Sequence, residues 1–447
     1  MGYSAIKGRR PLERASKITH TDVIKNPAVQ EFLASCESPP PPDPASVANQ
    51  LVPIPQASGR IRAVVAVDGG MTETFVQDDF PSASITFMTF GPLMLELDDL
   101  GEVDEMRFIG PEDMARLKNF QRYVAVVPTH LVAVNGTASF SAGVRKSIHQ
   151  ALLQGEGELQ GALRWLLFRE WLPKDRRLAW TINQCPRKEC DQEKIDFDSN
   201  DADTKKCPGC GHLIFLSDAL RLHERIDDDL GAAGIMGYLL TTLEHLTIVR
   251  LIRYLWNTKR ELLREVLFIK DGPLAFFGNT APLRKPMLEL MKFLGEQVNG
   301  CAINLVGLEK SGAFVEHAAQ IETAFGPRQA LVLNNEYIRT YIVPGDPTST
   351  QPYGENMYFG GKIIFKGEAS EMYVATVPLG EFKRTPSLTD FYNLGDVLRT
   401  TSRLRCSMYD NALMPVALVN RMVSLADVPT SDILSKFARD RLSGRLP

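Results

Sequence analysis

The sequence predicts an α/β protein built on a mixed sheet with helices packed against it. Short apolar runs rich in β-branched residues recur, as in "RAVVAV" (Arg62–Val67), "EVLFIK" (Glu265–Lys270) and "CAINLVGL" (Cys301–Leu308); they read as strands covered on both faces. Between them lie segments with apolar residues at helical spacing, the longest from about Gly234 to Thr258. The two kinds of segment are interleaved along the chain, which favours α/β or α+β over separate all-α and all-β units.

The N-terminus, "MGYSAIKGRRPLERASK", lacks the apolar core of a signal peptide, and Ile6 breaks the myristoylation pattern. Residues 1–37 read as an arm with one helix over "TDVIKNPAVQEFLASC", too small to fold alone. "SPPPPDPAS" (Ser38–Ser46) is stiff and opens a proline-rich linker over 38–59. The body, 60–447, starts with the strand Ala63–Val67. A second strand over 82–97 follows by a hairpin-like return. Next come a helix around 111–121, a strand over 122–134 and helices over 141–154 and 163–172. After the long helix come strands around 266–270 and 303–308, then strands and loops, and a last helix near "ALMPVALVNRMVSL" (412–425). "GEGELQG" (Gly155–Gly161) has the wrong glycine spacing for a dinucleotide loop and no strand before it.

The chain has 447 residues, 44% of them hydrophobic, and a net charge of −4. That composition suits a globular protein, and the charge excludes a global field for nucleic acid, so any such contact needs local basic patches. No stretch reads as a membrane span, and a cytoplasmic location is expected.

Four of the seven cysteines cluster. "CPRKEC" (Cys185, Cys190) and "CPGCGH" (Cys207, Cys210) flank an acidic segment. Two such knuckles predict one structural Zn²⁺ held by four thiolates in a ribbon inserted over 180–217. Four free cysteines are the alternative, with His212 a less favoured ligand.

The carboxylates raise the functional question. The strand at 63–67 runs into Asp68-Gly69-Gly70, and the strand at 266–269 into Lys270, Asp271 and Gly272. Each aspartate reads either as a turn residue or as a site carboxylate. If the strands are neighbours, both carboxylates emerge together and call for a cation, with hard oxygen ligands selecting Mg²⁺ or Mn²⁺. Glu244, amid Leu240, Leu243 and Ile248, is the expected third ligand, or else lies on a polar stripe with Thr241 and Thr247. Glu261 and Glu265 are fallback ligands on a charged face.

With "DGPL" and the later "VGLEKS", these residues resemble the NurA nucleases from about residue 60 to the C-terminus. The resemblance implies an RNase H-like fold, a homodimer, DNA cleavage with Mn²⁺ and work with the hexameric ATPase HerA. It matches Asp68 and Asp271 to two metal-binding aspartates, Glu244 to a helix glutamate and Lys310 to a lysine after the next strand. In the late motif, Tyr409 and Leu413 are kept, but Ala417 stands where a histidine is expected; Asn420 is a candidate stand-in. The implied chemistry is two-metal phosphodiester hydrolysis, with Lys310 facing the scissile phosphate. DNA contacts are expected from Arg250, Arg253, Lys259, Arg260, Arg284, Lys285, Arg403 and Arg405. A loop bearing Tyr353, Tyr358, Phe359 and Lys362 is expected to stack single-stranded bases. The competing readings are a non-catalytic scaffold of the same fold and an actin-like or sugar-kinase ATPase.

Overall fold

A nine-stranded mixed sheet carries the body of the protein. The computed structural model describes residues 16–36, 40–76, 83–98, 121–296, 303–406, 413–425 and 430–442. The helix expected around 111–121 falls almost wholly outside these residues, and Tyr409 does so entirely. In chain order the strands are β1 (Val52–Pro53), β2 (Ala63–Phe75), β3 (Ser84–Glu96), β4 (Tyr123–His130), β9 (Val266–Asp271), β10 (Asn304–Glu309), β11 (Gln329–Val332), β12 (Gly360–Lys366) and β13 (Met372–Pro378). Between β4 and β9, the short strands β5 (Trp180–Gln184), β6 (Glu193–Phe197), β7 (Thr204–Lys206) and β8 (Leu213–Phe215) form two separate hairpins.

Across the sheet the order is β1-β11-β12-β13-β10-β9-β2-β3-β4. β2 pairs in parallel with β9, and β9 with β10, while β2–β3 and β3–β4 are antiparallel. The run β4-β3-β2-β9-β10 has the strand order and directions of an RNase H-like sheet. β13, β12, β11 and β1 extend it with antiparallel neighbours.

The helices are α1 (Ser16–Lys25), α2 (Pro27–Ser35), α3 (Pro44–Ala48), α4 (Phe140–Leu167), α5 (Met236–Thr258), α6 (Arg284–Glu296), α7 (Ala313–Gln320), α8 (Asn335–Tyr341), α9 (Leu394–Arg403), α10 (Met414–Val423) and α11 (Thr430–Leu442). Strand alternation decides which helix covers which residue. Val65, Val67, Phe268 and Leu305 pack with α4, α5 and α6 on one face. Val64, Ala66, Leu267, Ile269, Val306 and Leu308 pack with α9 and α10 on the other. Each fully buried Leu or Ile of this kind contributes about 1.5–3 kcal/mol.

Several expectations need correction. The arm has two helices, because Pro27 cannot continue α1 and the Asn26 side chain caps α2 by accepting from Ala28 N–H. The stretch 38–59 is not all linker: α3 buries Val47 in the apolar cluster of Phe314, Ile321 and Phe325, and β1 pairs with β11. The two helices expected at 141–154 and 163–172 lie within α4 on either side of a non-helical break at Gln154–Gly157, where Gly155, Glu156 and Gly157 all adopt positive φ; the second ends at Leu167 rather than 172, and the break is what "GEGELQG" does. Another helix, α11, follows the one expected last. The segment Ala233–Thr258 is long and apolar enough to cross a membrane, contrary to expectation, but 72% of its most apolar stretch is buried inside the protein. It is the core helix under the sheet.

β2 also does not stop at Asp68. It pairs with β3 without interruption from Ala63 to Phe75. Only its other neighbour ends there: the β9 pairing stops at Val67↔Lys270. The two glycines let helices approach from opposite faces. A Cβ on Gly69 would lie 2.6 Å from Leu240 Cδ1 of α5, and one on Gly70 would lie 2.4 Å from the backbone oxygen of Val423 in α10. Gly70→Ala is therefore expected to push α10 off β2 and cost about 1–3 kcal/mol by overpacking. Urea unfolding measures this, and an unchanged midpoint would show that α10 does not depend on the contact.

Candidate active site

The parallel register of β2 and β9 sets Asp68 and Asp271 one residue beyond the last paired positions, Val67 and Lys270, of adjacent strands. By alternation both point to the α10 face. Asp68 is buried, at 4% exposure. Its Oδ1 accepts from Gly69 N–H at 2.8 Å and its Oδ2 from Asn420 Nδ2 at 2.9 Å. Asp271 is half-buried, and its Oδ2 lies 2.7 Å from Lys310 Nζ. Burial pushes the Asp68 proton affinity up, and the Asp271 charge adds to it; Asn420, Gly69 N–H and Lys310 act against the rise. Neither aspartate starts a tight turn.

Glu244 comes from α5, on the opposite face. Its Oε2 lies 2.8 Å from Lys270 Nζ, with both side chains under a tenth exposed. Oε1 sits 3.1 Å from where a Cβ on Gly69 would stand. Burial raises the Glu244 carboxyl to about 7, against the pull of Lys270 and with a further push from Asp68 and Asp271. Glu244 is thus not on an exposed polar stripe.

The structure therefore brings together all four residues named from the sequence: Asp68, Glu244, Asp271 and Lys310. It adds two that the sequence reading did not assign. Lys270 lies within the apolar strand "VLFIKD", where a lysine signals a buried partner. Asn420, the candidate stand-in for the histidine, bonds Asp68 directly, one helical turn after Ala417. The donor set suits a hard divalent cation: carboxylate oxygens that repel each other are relieved by a positive ion between them. The oxygens of Asp68, Asp271 and Glu244 do not all lie within 4.8 Å of one another; among the described residues only the four thiols form such a group.

Those thiols are Cys185, Cys190, Cys207 and Cys210. Cys185 follows β5 and Cys190 precedes β6; Cys207 follows β7 and Cys210 precedes β8. Each knuckle is closed by backbone bonds, Cys185 N–H to Gln192 O and Cys207 N–H to His212 O, both 2.8 Å. The Cys185–Cys210 and Cys190–Cys207 sulfur pairs are each 3.8 Å apart. Four sulfurs at about 2.3 Å from a central ion would stand about 3.8 Å apart, so the cluster has the size of a tetrathiolate metal site. His212 is not a member; its Nε2 lies 2.8 Å from Arg145 Nη1. Arg145 also forks onto Asp218 at 2.6 and 2.8 Å, a buried pair that ties the ribbon to α4.

The expected DNA contacts divide. Arg250 is paired with Glu158, Arg284 donates to Tyr358 O, and Arg405 pairs with Glu371. Lys259 and Arg260 lie past the end of α5, roughly 20 Å along the helix from Glu244, and precede the start of β9 rather than its Asp271 end. They are at the wrong edge of the sheet for the acids. Lys285 and Arg403 are exposed. The loop aromatics are not a stacking platform: Phe359 is fully buried, Tyr358 nearly so, and Lys362 is ion-paired with Glu309 under the Phe314 and Tyr358 rings.

The RNase H-like sheet thus carries one carboxylate on each of two adjacent parallel strands. No family model matches the sequence, and no curated protein matches it. Among solved structures the chain is similar to the NurA nuclease from Sulfolobus solfataricus, at 8% identity and a TM-score of 0.34, over 97% of this chain and 99% of that one. It is also similar to NurA bound to dAMP and manganese, at 12% identity and a TM-score of 0.30, and to NurA with manganese, at 10% and 0.27; each covers 97% of both chains.

Two outcomes follow from this geometry. Cys207→Ser/Cys210→Ser should abolish metal binding at the thiol cluster and loosen the ribbon, as read by metal analysis and limited proteolysis; full retention of the metal would refute the cluster. The second concerns pH. Folding raises the Glu244 carboxyl to about 7, so the folded state holds that proton more tightly than the unfolded one. The stability from this group is present below the ordinary carboxylate range and is lost as pH rises through about 7. In metal-free protein, Glu244→Gln should remove this component of the pH dependence of urea unfolding; an unaltered slope would show that Glu244 does not titrate there.

Proposed function

We propose that this protein is a divalent-metal-dependent DNA nuclease of the NurA kind. The observation that carries the reading is the juxtaposition of Asp68 and Asp271 on adjacent parallel strands, with Glu244 and Lys310 beside them. Asp68 and Asp271 are the residues that would hold Mn²⁺ or Mg²⁺, which would supply Lewis-acid charge and an activated water to phosphodiester hydrolysis, while Glu244 stands beside them paired with Lys270. Asn420 and Gly69 N–H hold the Asp68 carboxylate in place while leaving its remaining lone pairs open. Lys310, tethered to Asp271 and 35% exposed, is placed to meet the charge that develops on a scissile phosphate. We assign Zn²⁺ to the four thiols, where it would close the ribbon and take no part in the chemistry.

The partners are also proposals. We infer that the chain works as a homodimer with a HerA-type hexameric ATPase that delivers DNA. Two features support this. The net charge of −4 gives the isolated chain little general attraction for DNA, so a motor that raises the local DNA concentration would compensate. The arm, meanwhile, exposes Val23, Ile24, Phe32 and Leu33, each more than half accessible. Such apolar helices need a surface to cover.

Cleavage of linear DNA with Mn²⁺ tests the activity. Asp68→Ala and Asp271→Ala should abolish it in folded protein, and Lys310→Ala should lower it by about 10²–10³; near wild-type cleavage by either aspartate variant would remove the assignment. Removal of residues 1–37 should weaken dimer and ATPase assembly in light scattering while leaving Mn²⁺ binding in place. Unchanged assembly would take the arm out of the interface.

A further inference from the structure

The strands sort the charged groups of the site onto two faces. Asp271 looks with Asp68 toward Asn420, and Lys270, the residue before it, looks the other way toward Glu244. Lys270 is buried, its side chain 3% exposed. Its Nζ lies 2.8 Å from Glu244 Oε2 and donates to the backbone carbonyl of Asp271 at 2.5 Å. The ammonium is thus curled under the end of its own strand, 3.5 Å from where Gly272 would carry a Cβ. It occupies the ground between Glu244 and the strand end that bears Asp271.

We propose that Lys270 is a built-in cation that stands in for a second divalent ion, so that the acid site takes one ion, held by Asp68 and Asp271. This rests on the reading of the site as a divalent-metal nuclease centre, and it replaces the two-ion expectation. Two arguments carry it. The first is the cost of stranding a buried charge. If Glu244 turned to a metal, Lys270 would lose its carboxylate inside the protein, and removing one partner of a buried ion pair is strongly unfavourable. The Asp271 carboxylate offers no substitute, since it lies on the other face and is bonded to Lys310. The second is charge balance. With all three carboxylates ionised, the ammoniums of Lys270 and Lys310 leave a single negative charge. One divalent ion and one phosphodiester bring the site to neutrality, whereas two ions leave a double positive charge in a partly buried place.

The test counts Mn²⁺ on the full chain by electron paramagnetic resonance, with thiol-bound metal counted separately. Wild type should bind one Mn²⁺, and Asp68→Asn should weaken that ion at least about tenfold. Lys270→Met should bind two. Glu244→Gln/Lys270→Met, which removes both charges and strands neither, should keep one ion at an affinity within about threefold of wild type. Two ions in wild type would overturn the proposal and leave the nuclease reading standing. One ion in a folded Lys270→Met, or loss of the ion in the double variant, would also overturn it, because Lys270 would not set the count or Glu244 would be a ligand. Should Lys270→Met fail to fold, the wild-type count and the double variant decide. No Mn²⁺ on wild type beyond the thiol site would remove both readings.

Discussion

The parallel pairing of β2 with β9 is the constraint on which the rest of the site depends. It fixes two carboxylates about one strand spacing apart, roughly 5 Å between backbones, in surroundings too buried to screen them. Other features answer that repulsion. Asn420 and Gly69 N–H bond Asp68, Lys310 bonds Asp271, and Lys270 holds Glu244 on the far face. The strand also has to admit helices on both sides at this point. Gly69 opens room for Glu244 and Leu240 of α5, and Gly70 for the last turn of α10.

The second device of the molecule, the thiol ribbon, is built with different physics. Its two hairpins are short, and their strands could not stand alone in water. The four sulfurs and the buried Arg145–Asp218 pair add to the packing of Ile182, Ile195, Phe197 and Ile214 into the main core. The ribbon is thereby tied to α4, on the face that α4 shares with α5. It is a rigid appendage on the Glu244 side of the sheet, separate from the aspartates.

Local pattern made part of this legible. The apolar runs gave the central strands, the Cys-Pro spacing gave the knuckles, and the repeated Asp-Gly after a buried strand marked both aspartates. The errors fell where the pattern was the same for two outcomes. An Asp-Gly-Gly that continues a strand looks like one that ends it, since only the partner strand β3 shows that β2 runs on to Phe75. Aromatics interleaved with glycine suit a stacking loop or a packed wall equally, and Phe359 and Tyr358 proved to be wall. Basic residues near the long helix suit DNA contact by composition, yet α5 carries Lys259 and Arg260 to the edge of the sheet away from the acids.

By itself the sequence determined the chemistry on hand: hard carboxylates after buried strands, four soft thiols in two knuckles, and an α/β core to hold them. These depend on residue type and local spacing, which one chain displays. Only the tertiary structure decided which charges meet. Lys270 and Glu244 are 26 positions apart in the chain, and Asn420 and Asp68 are separated by 352. Strand alternation and helix placement set those pairs, because a side chain's face is fixed by pairing register and not by its neighbours in sequence.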